Sequence, residues 1–101
     1  MKIEQVLDHR GEFFRVLQET DRSQTAVMTI GPGADAGPEE VHKGDQIIYI
    51  VEGEAIVRMA NKEHRARPGA LLTIRGGTRH HVRNPGKTPL FFLTIYAPPE
   101  Y

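Results

Sequence analysis

Glu40, His42 and Gln46 place a carboxylate, an imidazole and a carboxamide within one short stretch. Their spacings share parity, so on extended backbone the three side chains project to one face. Gly44 is the one position where a bulge would break that alternation. A second histidine stretch, Gly77-Thr78-Arg79-His80-His81-Val82-Arg83-Asn84, is the natural partner. Here His80 shares a face with Val82 and Asn84, and His81 shares one with Arg83. The apolar neighbour marks His80 as the inward residue and sends His81 outward or to a rim. Two imidazoles, a carboxylate and an amide oxygen form a donor set suited to Fe(II), Mn(II), Ni(II), Co(II) or Zn(II). An ion held this way acts as a Lewis acid, activates water or orients a substrate.

The remaining candidates carry less chemistry. His9 and His64 stand in polar, turn-like contexts and read as surface residues. Arg75 and Arg79 flank the turn before His80, where they either hold an anionic ligand at a pocket lip or lie solvated. No side chain stands out as a dedicated general base, so the sequence yields no catalytic residue beyond the donor set.

The elements that must position these donors read as short strands. Phe13–Leu17, Thr25–Ile30, Gln46–Val51, Ala55–Ala60, Ala70–Ile74, His80–Arg83 and Phe91–Tyr96 are rich in β-branched or aromatic residues. Turn signals separate them: Gly31-Pro32-Gly33, Glu52-Gly53-Glu54, Arg67-Pro68-Gly69, Gly76-Gly77 and Asn84-Pro85-Gly86. Asn61-Lys62 reads as a hairpin turn, and polar Gln18–Gln24 as a loop. In Gln46–Val51 both parities are apolar, which predicts burial on both faces, inside a sandwich or under a partner subunit. No stretch keeps helical periodicity over a helical length. The pattern predicts an all-β sandwich or barrel.

Bulk properties narrow the function classes. At 101 residues a single domain is expected over residues 1–101. Basic and acidic side chains number 13 each, so no charge excess points to nucleic acid or an acidic membrane surface. The apolar runs are too short to span a bilayer. Without cysteine there is no disulfide frame and no thiolate ligand. Met1–Gln5 lacks the apolar centre of a signal peptide, and a cytoplasmic protein is the expectation.

At these residues the chain resembles the cupin family in its small single-domain form. That family's first motif runs glycine, five residues, His-x-His, three or four residues, glutamate, six residues, glycine. Six residues separate Gln46 from Gly53, so Gln46 takes the glutamate place; His42 takes the second histidine and Glu40 the first. Gly37 is too close to Glu40 to serve as the motif's opening glycine. The second motif runs glycine, five residues, Pro-x-Gly, two residues, histidine, three residues, asparagine. Gly69, Gly77, His80 and Asn84 match it in register, with Arg75 in the proline place.

The resemblance implies a double-stranded β-helix, a jelly-roll barrel with its conserved core at about residues 25–97, and a site in the barrel mouth. It implies a divalent metal held by Glu40, His42, Gln46 and His80, in a 2-His, 1-carboxylate set whose carboxylate has moved from one corner to another. It also implies a homodimer, for which the outer face of Ile47, Tyr49 and Val51 is suited. The expected functions are a metal-dependent enzyme on a small organic substrate, dioxygenase-like or sugar isomerase- or epimerase-like, or a non-catalytic module that binds or senses a small ligand. A barrel whose polar pocket serves neither purpose is the third reading. Fold alone does not choose among them.

Overall fold

The structure is a computed structural model that describes residues 2–101. Eight strands follow a short 3-10 turn at Val6–His9: β1 Phe14–Glu19, β2 Gln24–Ile30, β3 Asp45–Glu52, β4 Ala55–Met59, β5 Lys62–Ala66, β6 Leu71–Ile74, β7 His80–Arg83 and β8 Leu90–Ala97. They form a five-stranded sheet in the order β1-β2-β8-β3-β6 and a three-stranded sheet in the order β5-β4-β7. All pairings are antiparallel. Two facing antiparallel sheets with strands alternating between them make the jelly-roll, double-stranded β-helix expected from the sequence. Among the described residues no helix is long and apolar enough to cross a membrane.

Strand alternation and register explain how one end of the barrel is polar and the other apolar. Across the large sheet Gln46, Tyr96 and Gln24 lie in one row. Ile48, Thr94 and Ala26 form the next, and Ile50, Phe92, Met28 and Phe14 the third. The lower rows meet Val57 and Val82 of the small sheet in a core that includes Ile30, Ile74 and Leu90. Each fully buried Ile, Leu or Phe there contributes roughly 1.5–3 kcal/mol. This core therefore holds the sheets together and leaves the polar row free for other work.

The loop after β2 is drawn onto the small sheet. Glu40 and His80 exchange both main-chain hydrogen bonds, at 2.9 Å each, and are directly opposite one another. Gly77 N–H donates to the His42 carbonyl at 2.8 Å, so the two histidine stretches are tied together. Glycine is required at Gly76, where an added Cβ would strike the Lys43 carbonyl. Asn84 is buried and knots the loop below: its amide donates to the carbonyls of Ile30 (2.9 Å) and Thr88 (2.8 Å) and its oxygen accepts from Gly86 N–H (2.9 Å).

Several expectations shift in detail. β3 is buried on one face only: Gln46, Ile48 and Ile50 are buried, while Tyr49 is exposed and Ile47 and Val51 are half-buried. The apolar outer row reflects a partly covered sheet face, not a strand enclosed on both sides. The hairpin turn is Ala60-Asn61, both with positive φ (52° and 63°), as a two-residue turn between twisted strands requires. Lys62 already belongs to β5. The loop expected at Gln18–Gln24 is confined to Thr20–Ser23: Gln18 and Glu19 end β1, polar because it is an edge strand, and Gln24 opens β2, with Gln18 paired to Thr25 and Glu19 to Gln24.

Candidate functional site

The four sequence-predicted donors gather at the polar end of the barrel, around one hollow. His42, Gln46 and His80 are each buried to 6% exposure or less. Glu40 is partly exposed at the mouth. His42 and His80 meet edge to face with ring centroids 4.8 Å apart. His81 projects from the other side of β7 to the rim, where its Nε2 lies 3.3 Å from Asp35. Arg79 is exposed and shares Glu39 with Arg58, at 3.6 and 3.3 Å. Arg75 is exposed outside the hollow. His64 is exposed on β5. His9 is mostly covered and bridges Glu12 (2.7 Å) and Glu4 (3.3 Å), far better engaged than a free surface residue.

Hydrogen bonds define the protonation of each donor. His80 Nδ1 lies 2.9 Å from the Thr78 carbonyl, an acceptor only, so Nδ1 carries the proton and Nε2 is the bare nitrogen. Burial holds the His80 pKa below its usual value, against the opposing pull of the Thr78 bond, and the neighbouring His42 adds to the lowering. His42 Nε2 lies 2.9 Å from Glu40 Oε2. Burial pushes the Glu40 carboxyl upward, but its hydrogen bonds from His42 and Tyr101 outweigh this and hold it below the ordinary glutamate range. An ionised Glu40 accepts from His42 Nε2–H, and in the neutral ring Nδ1 then holds the lone pair. That atom is buried and has no partner.

Gln46 is similar. Its Nε2 donates to Thr94 Oγ1 at 3.1 Å and, more distantly, to the Tyr96 hydroxyl at 3.4 Å. Its Oε1 is buried without a partner. Two residues of the same polar hollow therefore each keep one buried, unpaired atom of the type a borderline cation takes. The residues fit a divalent ion in composition and in free valence. Among the described residues, however, no three His, Asp or Glu side chains converge closely enough to be a ready-made metal cluster. The Glu40 carboxylate is turned onto His42 instead.

Two tyrosines complete the wall, and neither was among the sequence candidates. Tyr96 is buried in the Gln46 row and burial raises its pKa to about 12, so it is a phenol. The Tyr101 hydroxyl donates to Glu40 Oε2 at 2.9 Å and lies 3.4 Å from His42 Nε2. Burial, reinforced by the Glu40 bond, raises its pKa as well. The parity of β8 contained the signal for Tyr96, since Leu90, Phe92, Thr94 and Tyr96 share a face. Nothing in the local sequence marks Tyr101; Gln24, far away in the chain, places it.

Comparison with known proteins agrees with this architecture. Residues 26–96 match the family model described as the cupin domain. The chain is 36% identical over 84 residues to the uncharacterized protein YrkC of Bacillus subtilis, covering 77% of this chain and 45% of YrkC. It spans about half the length of the curated relatives it matches. Among solved structures it is similar to BH2720 of Bacillus halodurans, with TM-score 0.84 and 34% identity over 88% of this chain and 72% of that one. It is also similar to a predicted oxalate decarboxylase of Thermotoga maritima, with TM-score 0.69 and 28% identity over 75% and 66% of the two chains. The two histidine stretches, the jelly-roll sheets that carry them and the match over most of the chain lead to one assignment: this protein belongs to the cupin family.

Proposed function

We propose that the barrel mouth binds a divalent metal ion through Glu40, His42, Gln46 and His80 and works on a small oxygen-bearing organic molecule. The observation that carries this reading is the pair of buried, unpartnered donor atoms, His42 Nδ1 and Gln46 Oε1. Interiors leave few such atoms, and each one costs about 1–3 kcal/mol unless a ligand satisfies it. The bare Nε2 of neutral His80 supports the same reading. Fe, Mn, Ni, Co and Zn all suit this set. When bound, the ion would supply Lewis-acid polarisation of a substrate or water oxygen. The chain's own part is to orient: Thr78 holds the His80 ring, Thr94 holds the Gln46 amide, and Glu40 and Tyr101 present an acceptor and a donor at the mouth. O₂-dependent oxidation and redox-neutral isomerisation or epimerisation of a sugar are the reaction classes the family likeness suggests. Metal content of the untagged protein as purified tests the reading. Wild type should carry a divalent metal that His42→Ala and His80→Ala lose. A metal-free wild type whose thermal stability ignores added Fe, Mn, Ni, Co and Zn would refute it.

The Glu40–His42 pair favours a second reading, a module that binds or senses a small ligand without turnover. A carboxylate engaged by its neighbours in this way needs no metal partner. This reading predicts ligand-dependent stabilisation with no product. A homodimer belongs to the proposal under either reading. Ile47, Tyr49 (44% exposed) and Leu71 (70% exposed) form a partly uncovered apolar face on neighbouring β3 and β6, and Leu71→Lys should yield a monomer in sedimentation velocity. A cytoplasmic location completes the proposal and rests on the sequence alone.

A further inference from the structure

The polar chamber is too small, as it stands, for the organic molecule just proposed. It offers about 40 Å³. That is room for roughly three waters at ~10–15 Å³ each. Immediately outside lies a second hollow of about 220 Å³, lined by Phe13, Phe14, Met28, Ala36, Glu40 and Tyr101. Met28, Ala36, Glu40 and Tyr101 line both hollows. The two spaces are therefore neighbours with shared walls.

Of those shared walls, Tyr101 is the one built to move. Met28 is fixed in the middle of the large sheet, between Phe14 and Phe92. Ala36 and Glu40 are held by main-chain bonds to β7, at 2.9 Å each. Tyr101 is 55% exposed and follows the last strand. Its backbone is clamped: the buried Gln24 amide donates to the Tyr101 main-chain oxygen (2.6 Å) and accepts from Tyr101 N–H (3.0 Å) and Glu100 N–H (3.3 Å). The ring can thus turn about its side-chain bonds without the chain shifting. In the closed position it is latched by its hydroxyl on Glu40 and packs edge-on against Phe14 and Tyr96, with centroids 5.1 and 5.2 Å away.

We propose that Tyr101 is a swinging partition, and that with it turned aside the two hollows become one site for a small molecule with two unlike ends. A polar, oxygen-bearing head occupies the chamber of His42, Gln46 and His80. An uncharged apolar body, aliphatic or aromatic, lies in the vestibule against Phe13, Phe14 and Met28. Among the described residues Glu40 is the only charged one lining the vestibule, and it and Tyr101 are shared with the chamber; Phe13, Phe14, Met28 and Ala36 offer no side-chain hydrogen bond, which suits a neutral apolar body and disfavours a free sugar. This inference rests on the reading of the polar chamber as a ligand site and adds the class of ligand.

Hydroxamates RCONHOH, neutral near pH 7, provide the probe, with R methyl, propyl, pentyl or phenyl, and glucose as the polar comparison. Binding is measured by isothermal titration calorimetry on the protein as purified, with its metal content determined in parallel. Affinity should rise about threefold to fourfold per methylene. Phe13→Ser should remove most of that gradient and leave the methyl compound unchanged. Tyr101→Phe, which keeps the ring and loses the latch, should tighten the pentyl and phenyl compounds by up to about tenfold by raising the open population. Equal affinity across the series, a gradient untouched by both variants, or tighter binding of glucose would overturn the inference while leaving the metal-site reading in place. Metal without binding of any hydroxamate would do the same. Absence of both metal and binding would remove both readings together.

Discussion

Gln46→Leu isolates the oxygen on which the metal-site reading depends. Gln46 is 5% exposed, and its two amide atoms have opposite fates: Nε2 donates to Thr94 at 3.1 Å and weakly to Tyr96 at 3.4 Å, and Oε1 has nothing. Leucine fills nearly the same volume with no polar atom. The metal-free variant loses one good hydrogen bond and one long one, about 1 kcal/mol or slightly more, and is relieved of a buried unsatisfied acceptor costing about 1–3 kcal/mol. The two effects nearly cancel, so the metal-free midpoint should move by no more than about 4–8 °C, the shift expected for about 1 kcal/mol in a domain of this size. The opposite amide orientation would point two donors where Oε1 now stands, an arrangement a cation excludes.

With metal present the variant should differ sharply from wild type. Loss of a ligand or of a group that positions one weakens metal affinity by about 10–100-fold. Each tenfold removes about 1.4 kcal/mol of metal-dependent stabilisation at a given excess of ion. Calorimetric unfolding of wild type and variant, with chelator and then with each of Mn, Fe, Co, Ni and Zn, gives both numbers. Gln46→Glu is the counterpart, raising the metal-dependent shift while lowering metal-free stability by burying a charge. The reasoning fails if metal stabilises Gln46→Leu as much as wild type. It also fails if the metal-free variant loses more than about 2–3 kcal/mol, which would mean that Oε1 was satisfied all along.

Other outcomes follow from the same geometry. Because burial lowers the folded-state pKa of His80 below the ordinary histidine value of 6.5, the metal-free folded protein resists protonating it. This contribution to stability is fully present above pH 6.5 and is lost as pH falls through and below that value. His9, whose pKa is raised chiefly by Glu12, acts in the opposite sense: its contribution is present below pH 6.5 and lost as pH rises through its folded pKa. The difference in unfolding midpoint between wild type and His80→Gln across pH 5–8 therefore cancels the His9 contribution, and wild type should lose ground to the variant on the acid side. Asn84→Ala should cost about 2–4 kcal/mol in urea unfolding, because it strips partners from two main-chain carbonyls and one N–H in the loop beneath the site. Gly53→Ala should cost about 2 kcal/mol or more, since φ is +78° and the new methyl would meet the Pro89 carbonyl and sit 2.9 Å from the Leu90 Cα.

What was legible in the sequence followed from local alternation. Parity placed His80 inward and His81 at the rim because a strand has only two faces; Glu40 and His42 precede β3, and it is the bridge to His80 and the Gly77–His42 bond, not strand alternation, that bring them beside Gln46. Motif spacing identified the family because each glycine marks a fixed backbone turn. Alternation fails where exposure depends on a neighbour. The outer row Ile47, Tyr49 and Val51 resembles buried sequence, yet it is partly open because only the β1-β2 side of that sheet face is covered, where Val27 is fully buried. Edge strand β1 is polar enough at its end to pass for loop. The Ala60-Asn61 turn was missed by one residue because alanine gives no sign of positive φ.

The larger omission was Tyr101, and its cause is instructive for small barrels. A residue beyond the last strand has no periodicity to read, and its position depends on a buried glutamine 77 residues earlier in sequence. That glutamine shares a row with Tyr96 and Gln46, so the same strand register that builds the donor wall also builds the anchor for its cover. The cover in turn engages Glu40, the donor that departs from the family's histidine. A histidine there would lack the ionised oxygen on which the Tyr101 and His42 hydrogen bonds now converge. The substitution at Glu40 and the tyrosine latch are therefore one feature. On the proposed metal-site reading, a cation that took Glu40 through Oε2 would compete with the hydrogen bonds from His42 and Tyr101 and would loosen the ring. Metal and organic ligand should accordingly assist one another at this site: whichever arrives first removes part of the cost of admitting the second.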